Sequence, residues 1–188
     1  MNHPKITAFM QNPWFSPGTR PEIIDRYKTD QEFHRRLLAQ TMSGGRLLNA
    51  FGPEMFNRIH WDNVAPNAAV EAAGETDLDM NHVESVIEKT APNLIITFGK
   101  LAEEAMEKSI LAVTIDYMVC HHPNARGKTA GDLGQFAVEV EAWCNDWRVK
   151  EPLLSGDWNA FRASIEPEIQ RKRKAEQLNS LERDGNYD

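Results

Sequence analysis

Three short stretches of the chain combine amide, imidazole and guanidinium side chains with proline or glycine. They are residues 11–18, 61–66 and 120–127. Each follows an apolar segment that predicts a buried strand. Ligands of α/β sheets bind beyond the carboxyl ends of the strands. If the strands are neighbours, the three stretches therefore predict one ligand crevice.

The polar side chains of these stretches offer hydrogen-bond donors and acceptors. The amides of Gln11, Asn12 and Asn63 can orient a water molecule or read the polar edge of a ligand, but an amide cannot act as a base. His122 can donate to an atom that gains negative charge during a reaction. Two alternatives stay open: Asn12 forms an Asx turn with the proline that follows it, and Asn63 caps its loop.

Aromatic and thiol groups beside the amides and imidazoles have competing interpretations. Trp14 and Phe15 either stack on a ligand or belong to the core. Cys120, His121 and His122 are consecutive, and consecutive residues rarely converge on one ion, so we predict no metal site. His121 is expected to pack or to hydrogen-bond rather than to catalyse.

Composition limits the class of protein. A chain of 188 residues with 41% hydrophobic residues predicts one domain, here residues 1–167, followed by a charged tail at 168–188. The net charge of −7 argues against tight nonspecific binding to DNA without excluding a DNA enzyme. The two cysteines predict free thiols and a cytoplasmic protein. No stretch predicts a membrane span or a signal peptide.

Hydrophobic periodicity predicts alternating strands and helices. The predicted strands are residues 5–10, 56–60 and 93–98, with one or two short strands within 111–120. The predicted helices are 30–41, 46–51, 81–90, 100–108 and 132–149, with a break at 151–156 before a last helix. Residues 11–29 and 64–79 are predicted to be loops or polar connections. This alternation predicts a three-layer α/β/α fold around a short, mainly parallel, four-stranded sheet.

Two groups of residues could contact phosphate. The turn Ser43-Gly44-Gly45-Arg46 can present backbone N–H groups and a guanidinium to an anion, or can be a plain turn between two helices. The basic run Arg171-Lys172-Arg173-Lys174 is expected to be a solvated helix face, with a phosphate contact as the alternative.

The order of the polar stretches resembles that of the uracil-DNA glycosylase superfamily. The family's first motif reads Gly-Gln-Asp-Pro-Tyr or Gly-x-Asn-Pro-Gly, and this chain has Met10-Gln11-Asn12-Pro13-Trp14. The last motif begins His-Pro-Ser, and this chain has His122-Pro123-Asn124-Ala125-Arg126-Gly127. Between them lies a strand ending in asparagine, here residues 58–63, and Ser43-Gly44-Gly45-Arg46-Leu47-Leu48 resembles a Ser-Gly-Arg-Arg-Leu segment. The resemblance covers residues 5–150.

The resemblance implies a role for each matched position. Asn12 would position the attacking water and His122 would stabilise charge on the leaving base, as the catalytic residues. Gln11, Trp14, Phe15 and Asn63 would contact the flipped base. DNA itself would be bound by Ser43, Gly44, Arg46, Asn124 and Arg126.

The function implied is hydrolysis of the bond between deoxyribose and uracil or a related damaged base in single- or double-stranded DNA, without cofactor or metal. The oligomeric state stays open, with a monomer favoured. Met10, Trp14 and Asn124 depart from the family motifs, so the base that is removed stays open. Two alternatives remain: a transferase of the same fold that modifies bases in viral DNA, and a nucleic-acid-binding protein without catalytic activity.

Overall fold

The computed structural model describes residues 3–13, 15, 19–66 and 78–154, without the side chains of 148–154. The chain divides into two compact units, residues 1–146 and 147–188. Of the second unit, only the helical residues 147–154 are described. Trp14, the domain boundary at 167, the last predicted helix and the basic run at 171–174 lie outside the described residues.

The first unit is built on four parallel strands. In chain order these are β1 (Ile6–Met10), β2 (His60–Asn63), β3 (Leu94–Phe98) and β4 (Asp116–Cys120). The spatial order is β2-β1-β3-β4, and each neighbouring pair is parallel. All five residues of β1 and all five of β3 are buried, which explains why these two strands read as continuous apolar runs.

Helices cover both faces of this sheet, so the predicted three-layer α/β/α fold is confirmed. The described helices are α1 (Pro21–Thr29), α2 (Gln31–Gln40), α3 (Met42–Arg58), α4 (Met80–Thr90), α5 (Lys100–Lys108) and α6 (Ala130–Leu154), with a short 3-10 turn at Ala112–Thr114. One core cluster joins α2, α3 and α6 to the sheet. The other joins α4 and α5 to the opposite face. No helix in the described part of the chain is long and apolar enough to span a membrane.

Helix α1 corrects the prediction of a polar connection before Asp30. Pro21 occupies its first turn, where a missing N–H costs nothing. Only Tyr27 of this helix is buried. Ile23, Ile24 and Tyr27 lie at helical spacing in this nine-residue helix, a short pattern that the sequence analysis missed.

Helix α3 corrects the predicted turn at 43–46 and bears out the predicted end of a helix at Gly52. Thr41 caps α3 by accepting a hydrogen bond from the N–H of Gly44 at 3.0 Å, so residues 43–46 lie in its first helical turn. Gly52, with non-helical φ of 69° and ψ of 162°, kinks α3 where the short helix was predicted to end. Phe56 lies in the part of α3 that follows the kink, so the strand predicted at 56–60 begins only at His60.

Two further predictions are corrected. Trp61, predicted to lie in a loop, is a fully buried residue of β2. Downstream, the predicted break at 151–156 is wrong as far as Leu154, where α6 ends.

The four strands end level with one another. Met10 pairs with Asn63, and Phe98 pairs with Cys120. Phe9 pairs with Thr97, which places the last residues of β1 and β3 at the same height. The loops that follow all four strands therefore leave from one edge of the sheet.

The close packing of α2 against the start of α3 requires that residue 44 carry no side chain. A Cβ at Gly44 would lie 1.8 Å from the carbonyl oxygen of Leu38, whereas a Cβ at Gly45 would meet nothing closer than 3.8 Å. We expect Gly44→Ala to lower the free energy of unfolding by about 1–3 kcal/mol, because backbone must move. Gly45→Ala should change it by less than about 1 kcal/mol, toward greater stability. Denaturant unfolding of both variants measures this, and equal effects would contradict the packing described.

Candidate active site

The candidate site lies along the edge where the strands end. Neighbouring strands are about 4.8 Å apart, so the ends of β1 and β4, separated by β3, are roughly 10 Å apart. The loop after β1 carries Gln11 and Asn12, and the loop after β4 carries His122. The end of β2, next to β1, carries Asn63. The sheet thus brings the predicted catalytic residues to one edge, on either side of β3.

Gln11 and Asn12 leave β1 with partly exposed side chains. The backbone carbonyl of Gln11 accepts a hydrogen bond from the N–H of Ala65 at 3.1 Å. The backbone carbonyl of Met10 accepts one from the N–H of Val64 at 2.9 Å. Within the described part of the chain, neither amide side chain hydrogen-bonds to another residue. Backbone hydrogen bonds to the residues that follow β2 therefore hold the end of β1.

Asn63 is committed to a protein partner. It is 3% exposed, and its Nδ2 donates to the hydroxyl of Tyr27 at 3.1 Å. The Tyr27 ring stacks on His34, with centroids 3.9 Å apart, and meets the edge of Phe15 at 5.2 Å. Phe15 is itself 8% exposed. Tyr27 thus joins Asn63 to the loop after β1, and contact of Asn63 or Phe15 with a base stays a prediction.

Burial decides the charge state of this aromatic group. Burial raises the pKa of the Tyr27 phenol above its usual range, against the effect of the hydrogen bond from Asn63. Burial also lowers the pKa of His34 to about 4. Both rings are therefore neutral at pH 7.

The hydrogen bond to His122 identifies which of its ring nitrogens is a donor. Its Nδ1 accepts a hydrogen bond from the backbone N–H of Asn124 at 3.2 Å. A neutral imidazole that accepts at Nδ1 carries its proton on Nε2. Burial, and secondarily the adjacent His121, lower the pKa of His122. At neutral pH the ring is therefore uncharged, with Nε2–H as its donor.

Gly99 lets the His122 loop close over the end of β3. Its φ of 94° is unfavourable for other residues, and its N–H donates to the carbonyl of Cys120 at 2.9 Å. A Cβ at Gly99 would lie 3.3 Å from the Cβ of His122. The sequence marked Gly99 only as a turn before α5, without its contact to His122.

The start of α3 holds the loop after β4. Nη1 of Arg46 donates to the carbonyl of Pro123 at 2.7 Å. Nδ2 of Asn124 donates to the hydroxyl of Ser43, also at 2.7 Å. The structure therefore brings together three of the predicted DNA-contacting residues, and each contact spans about 80 residues of sequence.

The two remaining predicted DNA contacts, Gly44 and Arg126, differ in whether their hydrogen-bond donors are engaged within the protein. The N–H of Gly44 is engaged by Thr41, so a phosphate at this turn would need other donors, and the predicted phosphate contact stays a prediction. Arg126 is exposed in the loop after β4. Among the described residues, no hydrogen bond or ion pair holds its guanidinium.

A second polar cluster, which the sequence analysis missed, lies at the end of β2 on the opposite face from Asn63. Nε2 of His82 lies 2.9 Å from Oδ1 of Asp62, and Nε2 of His60 lies 3.5 Å from Oδ2. Next to it, the N–H of Asp79 donates to the carbonyl of Val64 at 3.0 Å. No short motif joins His82 to Asp62, which lies 20 residues earlier.

Charge in this second cluster is concentrated on Asp62. Burial by itself would raise the pKa of Asp62, but hydrogen bonds from His60 and His82 outweigh it and hold the pKa below its usual range. The hydrogen bond to Asp62 in turn raises the pKa of His82, against its burial. Across the described residues, no group of three or more His, Cys, Asp or Glu side chains is arranged to hold a metal ion.

Both cysteines are buried, and neither forms a disulfide bond. The Sγ of Cys120 lies 3.8 Å from Nδ1 of His121. Burial raises the pKa of the Cys120 thiol to about 11. The thiol is therefore protonated at neutral pH and is a poor nucleophile.

Comparison with known proteins identifies no family for this chain: no family model and no curated protein matches it.

The Asp62–His82 pair predicts a pH-dependent loss of stability on removal of the carboxylate. Asp62 stabilises the fold above its unfolded pKa of about 3.9. His82 contributes fully below its unfolded pKa of about 6.5, and its contribution is lost as the pH rises through its raised folded pKa. We expect Asp62→Asn to lower the free energy of unfolding by about 1–3 kcal/mol between these two values, and by less at higher pH.

Denaturant unfolding at several pH values measures this, together with an NMR titration of His82, whose pKa should fall in Asp62→Asn. Asp25→Asn, at an exposed position of α1, is the matched control. An unchanged His82 titration would refute the pairing.

Proposed function

We propose that this chain is a metal-independent, monofunctional DNA glycosylase that removes uracil or a related damaged base from DNA. One observation carries the proposal: a neutral imidazole, His122, is held at the end of β4 with Nε2–H as its donor, across β3 from Asn12, whose amide has no hydrogen bond to the described residues. The motif order that resembles the uracil-DNA glycosylase superfamily supports the same function. Catalysis of this kind needs a donor for the leaving base and a group that orients water, on opposite sides of the scissile bond.

His122 suits stabilisation of the leaving base. Cleavage of the N-glycosidic bond places negative charge on the base and positive charge on the sugar. A donor aimed at a base oxygen strengthens its hydrogen bond as that charge develops. A neutral donor with a lowered pKa fulfils this role without leaving an imidazolium in a half-buried site.

Asn12 suits orientation of the attacking water. The distance of roughly 10 Å between the ends of β1 and β4 lets a nucleotide lie across the end of β3, with its base toward His122 and its sugar toward Asn12. Gly99 presents no side chain at that point. Because an amide cannot remove a proton, water attack would depend on the positive character of the sugar rather than on a base at residue 12.

Contacts to the DNA backbone would come from exposed cations near the crevice. Arg126 is the best placed, because it follows His122 in the same loop and its guanidinium is free of hydrogen bonds to described residues. An arginine there can bind phosphate or fill the gap left by an extruded base. A net charge of −7 makes such local cations more important for binding.

A strand-incision assay tests the function directly. Oligonucleotides that contain one uracil, single-stranded or in a mismatched duplex, are incubated with the full chain and then heated in alkali. Cleavage at the uracil, absent from a thymine-containing control, shows that an abasic site formed. A folded protein that binds DNA without forming one would refute the glycosylase and favour the transferase or the non-catalytic binding protein.

His122→Ala should slow base release by about 10²–10³-fold, because one preorganised donor to developing charge is lost. His121→Ala should slow it much less, because His121 borders Cys120 rather than the crevice donor. Single-turnover cleavage measures both rates, with thermal melting as the control for folding. Near-normal cleavage by His122→Ala would remove this residue from the mechanism.

Arg126→Ala should weaken DNA binding and reduce the salt dependence of the binding constant by about one counterion, if the contact is to phosphate. Binding is measured by fluorescence anisotropy at several salt concentrations. Arg36→Ala serves as the control, since Arg36 is an exposed arginine of α2 that pairs with Glu32. Salt dependences that coincide for Arg126→Ala and the unmodified protein would refute the contact.

A further inference from the structure

One peptide group, between Pro123 and Asn124, connects α3 to the imidazole of His122. Its carbonyl accepts a hydrogen bond from Nη1 of Arg46 at 2.7 Å. Its N–H donates to Nδ1 of His122 at 3.2 Å. The side chain of Asn124 is held separately by the hydroxyl of Ser43.

A peptide group is planar, and its C=O and N–H point in opposite directions. An anchor that fixes the direction of the carbonyl therefore also fixes the direction of the N–H. Hydrogen bonds in such a chain also polarise one another, so a cation on the carbonyl makes the N–H a stronger donor. Arg46 can thus act on His122 without touching it.

We propose that Arg46, assisted by Ser43, is a positioning residue that holds the Pro123–Asn124 peptide against Nδ1 of His122 and so keeps Nε2–H directed into the crevice. This inference rests on the proposed function for its effect on base release, but not for its effect on the imidazole. It gives Arg46 a role in the free protein, beside the predicted contact with DNA.

The geometry favours positioning over phosphate binding as the main role of Arg46. The contact to Pro123 commits one guanidinium nitrogen of Arg46 to the protein backbone and joins residues 77 positions apart. His122 has further restraints, since its carbonyl accepts the N–H of Ala125 at 2.8 Å and its Cβ lies over Gly99. These restraints fix the backbone of His122, whereas the hydrogen bond from the Asn124 N–H is the one that reaches the ring among the described residues.

The test uses the ring nitrogens of His122 in the ¹⁵N-labelled full chain, free of DNA. In the unmodified protein, Nδ1 should resonate as an unprotonated, hydrogen-bonded nitrogen and Nε2 as a protonated one. In Arg46→Gln both should move toward the values of a freely exchanging imidazole. Arg46→Lys, which retains a donor and a charge, should restore much of the difference, and Ser43→Ala should show a smaller change than Arg46→Gln.

The same variants are then compared in single-turnover base release. Arg46→Gln should lower the rate by about 10- to 100-fold, through misplacement of the donor, with DNA affinity little changed. Arg36→Gln, on the exposed face of α2, controls for the loss of one positive charge. Thermal melting establishes that each variant is folded, and if Arg46→Gln is not, Ser43→Ala and Arg46→Lys decide the question.

Two outcomes would overturn the inference. Ring shifts of His122 that are identical in Arg46→Gln and the unmodified protein would show that the peptide needs no anchor. A loss confined to DNA affinity and its salt dependence would assign Arg46 to phosphate binding. If the unmodified protein releases no base, the proposed function fails, while the ring shifts still decide whether Arg46 positions His122.

Discussion

Burial of the sheet on both faces is the constraint on which the rest of the structure depends. Every residue of β1 and β3 is enclosed between helices, so side chains of these strands can meet water only where the strands end. Because the four strands end level, these points form one line of loops. The polar chemistry of the first unit is thereby concentrated along a single edge, and the order of the strands decides which residues face each other across it.

The two faces of that edge differ in charge. On the side of α1 and α2, the side chains of Tyr27 and His34 are neutral at pH 7. His122, which follows β4 at the other end of the sheet, is neutral as well. On the side of α4, Asp62 is ionised and paired with histidines. Tyr27, His34 and His122 are thus neutral at pH 7, whereas the ionised Asp62 lies at the end of β2, which two strands separate from β4.

The sequence predicted the layers and the apolar strands because a fully buried parallel strand is a continuous apolar run, and helices on both faces repeat every 3.6 residues. It missed α1, and it placed a break at Gly44, where the absence of a side chain allows close packing at the start of α3. The break that it placed at Gly52 coincides with the kink of α3. It located Asn12 and His122 at strand ends. It could not supply Tyr27, Gly99 or the Arg46 contact, because each acts through a residue distant in the chain.

The paired ends of the 64–79 segment have a consequence for how this protein could be re-engineered. The Val64–Asp79 backbone bond and the Asp62–His82 pair fix the two ends against each other. The entropic cost of closing a loop rises by only about 0.6 kcal/mol for each doubling of its length. Insertions between residues 66 and 78 should therefore leave the spacing of β2 and α4 unaltered, which makes this the natural place to graft a foreign peptide or a reporter domain.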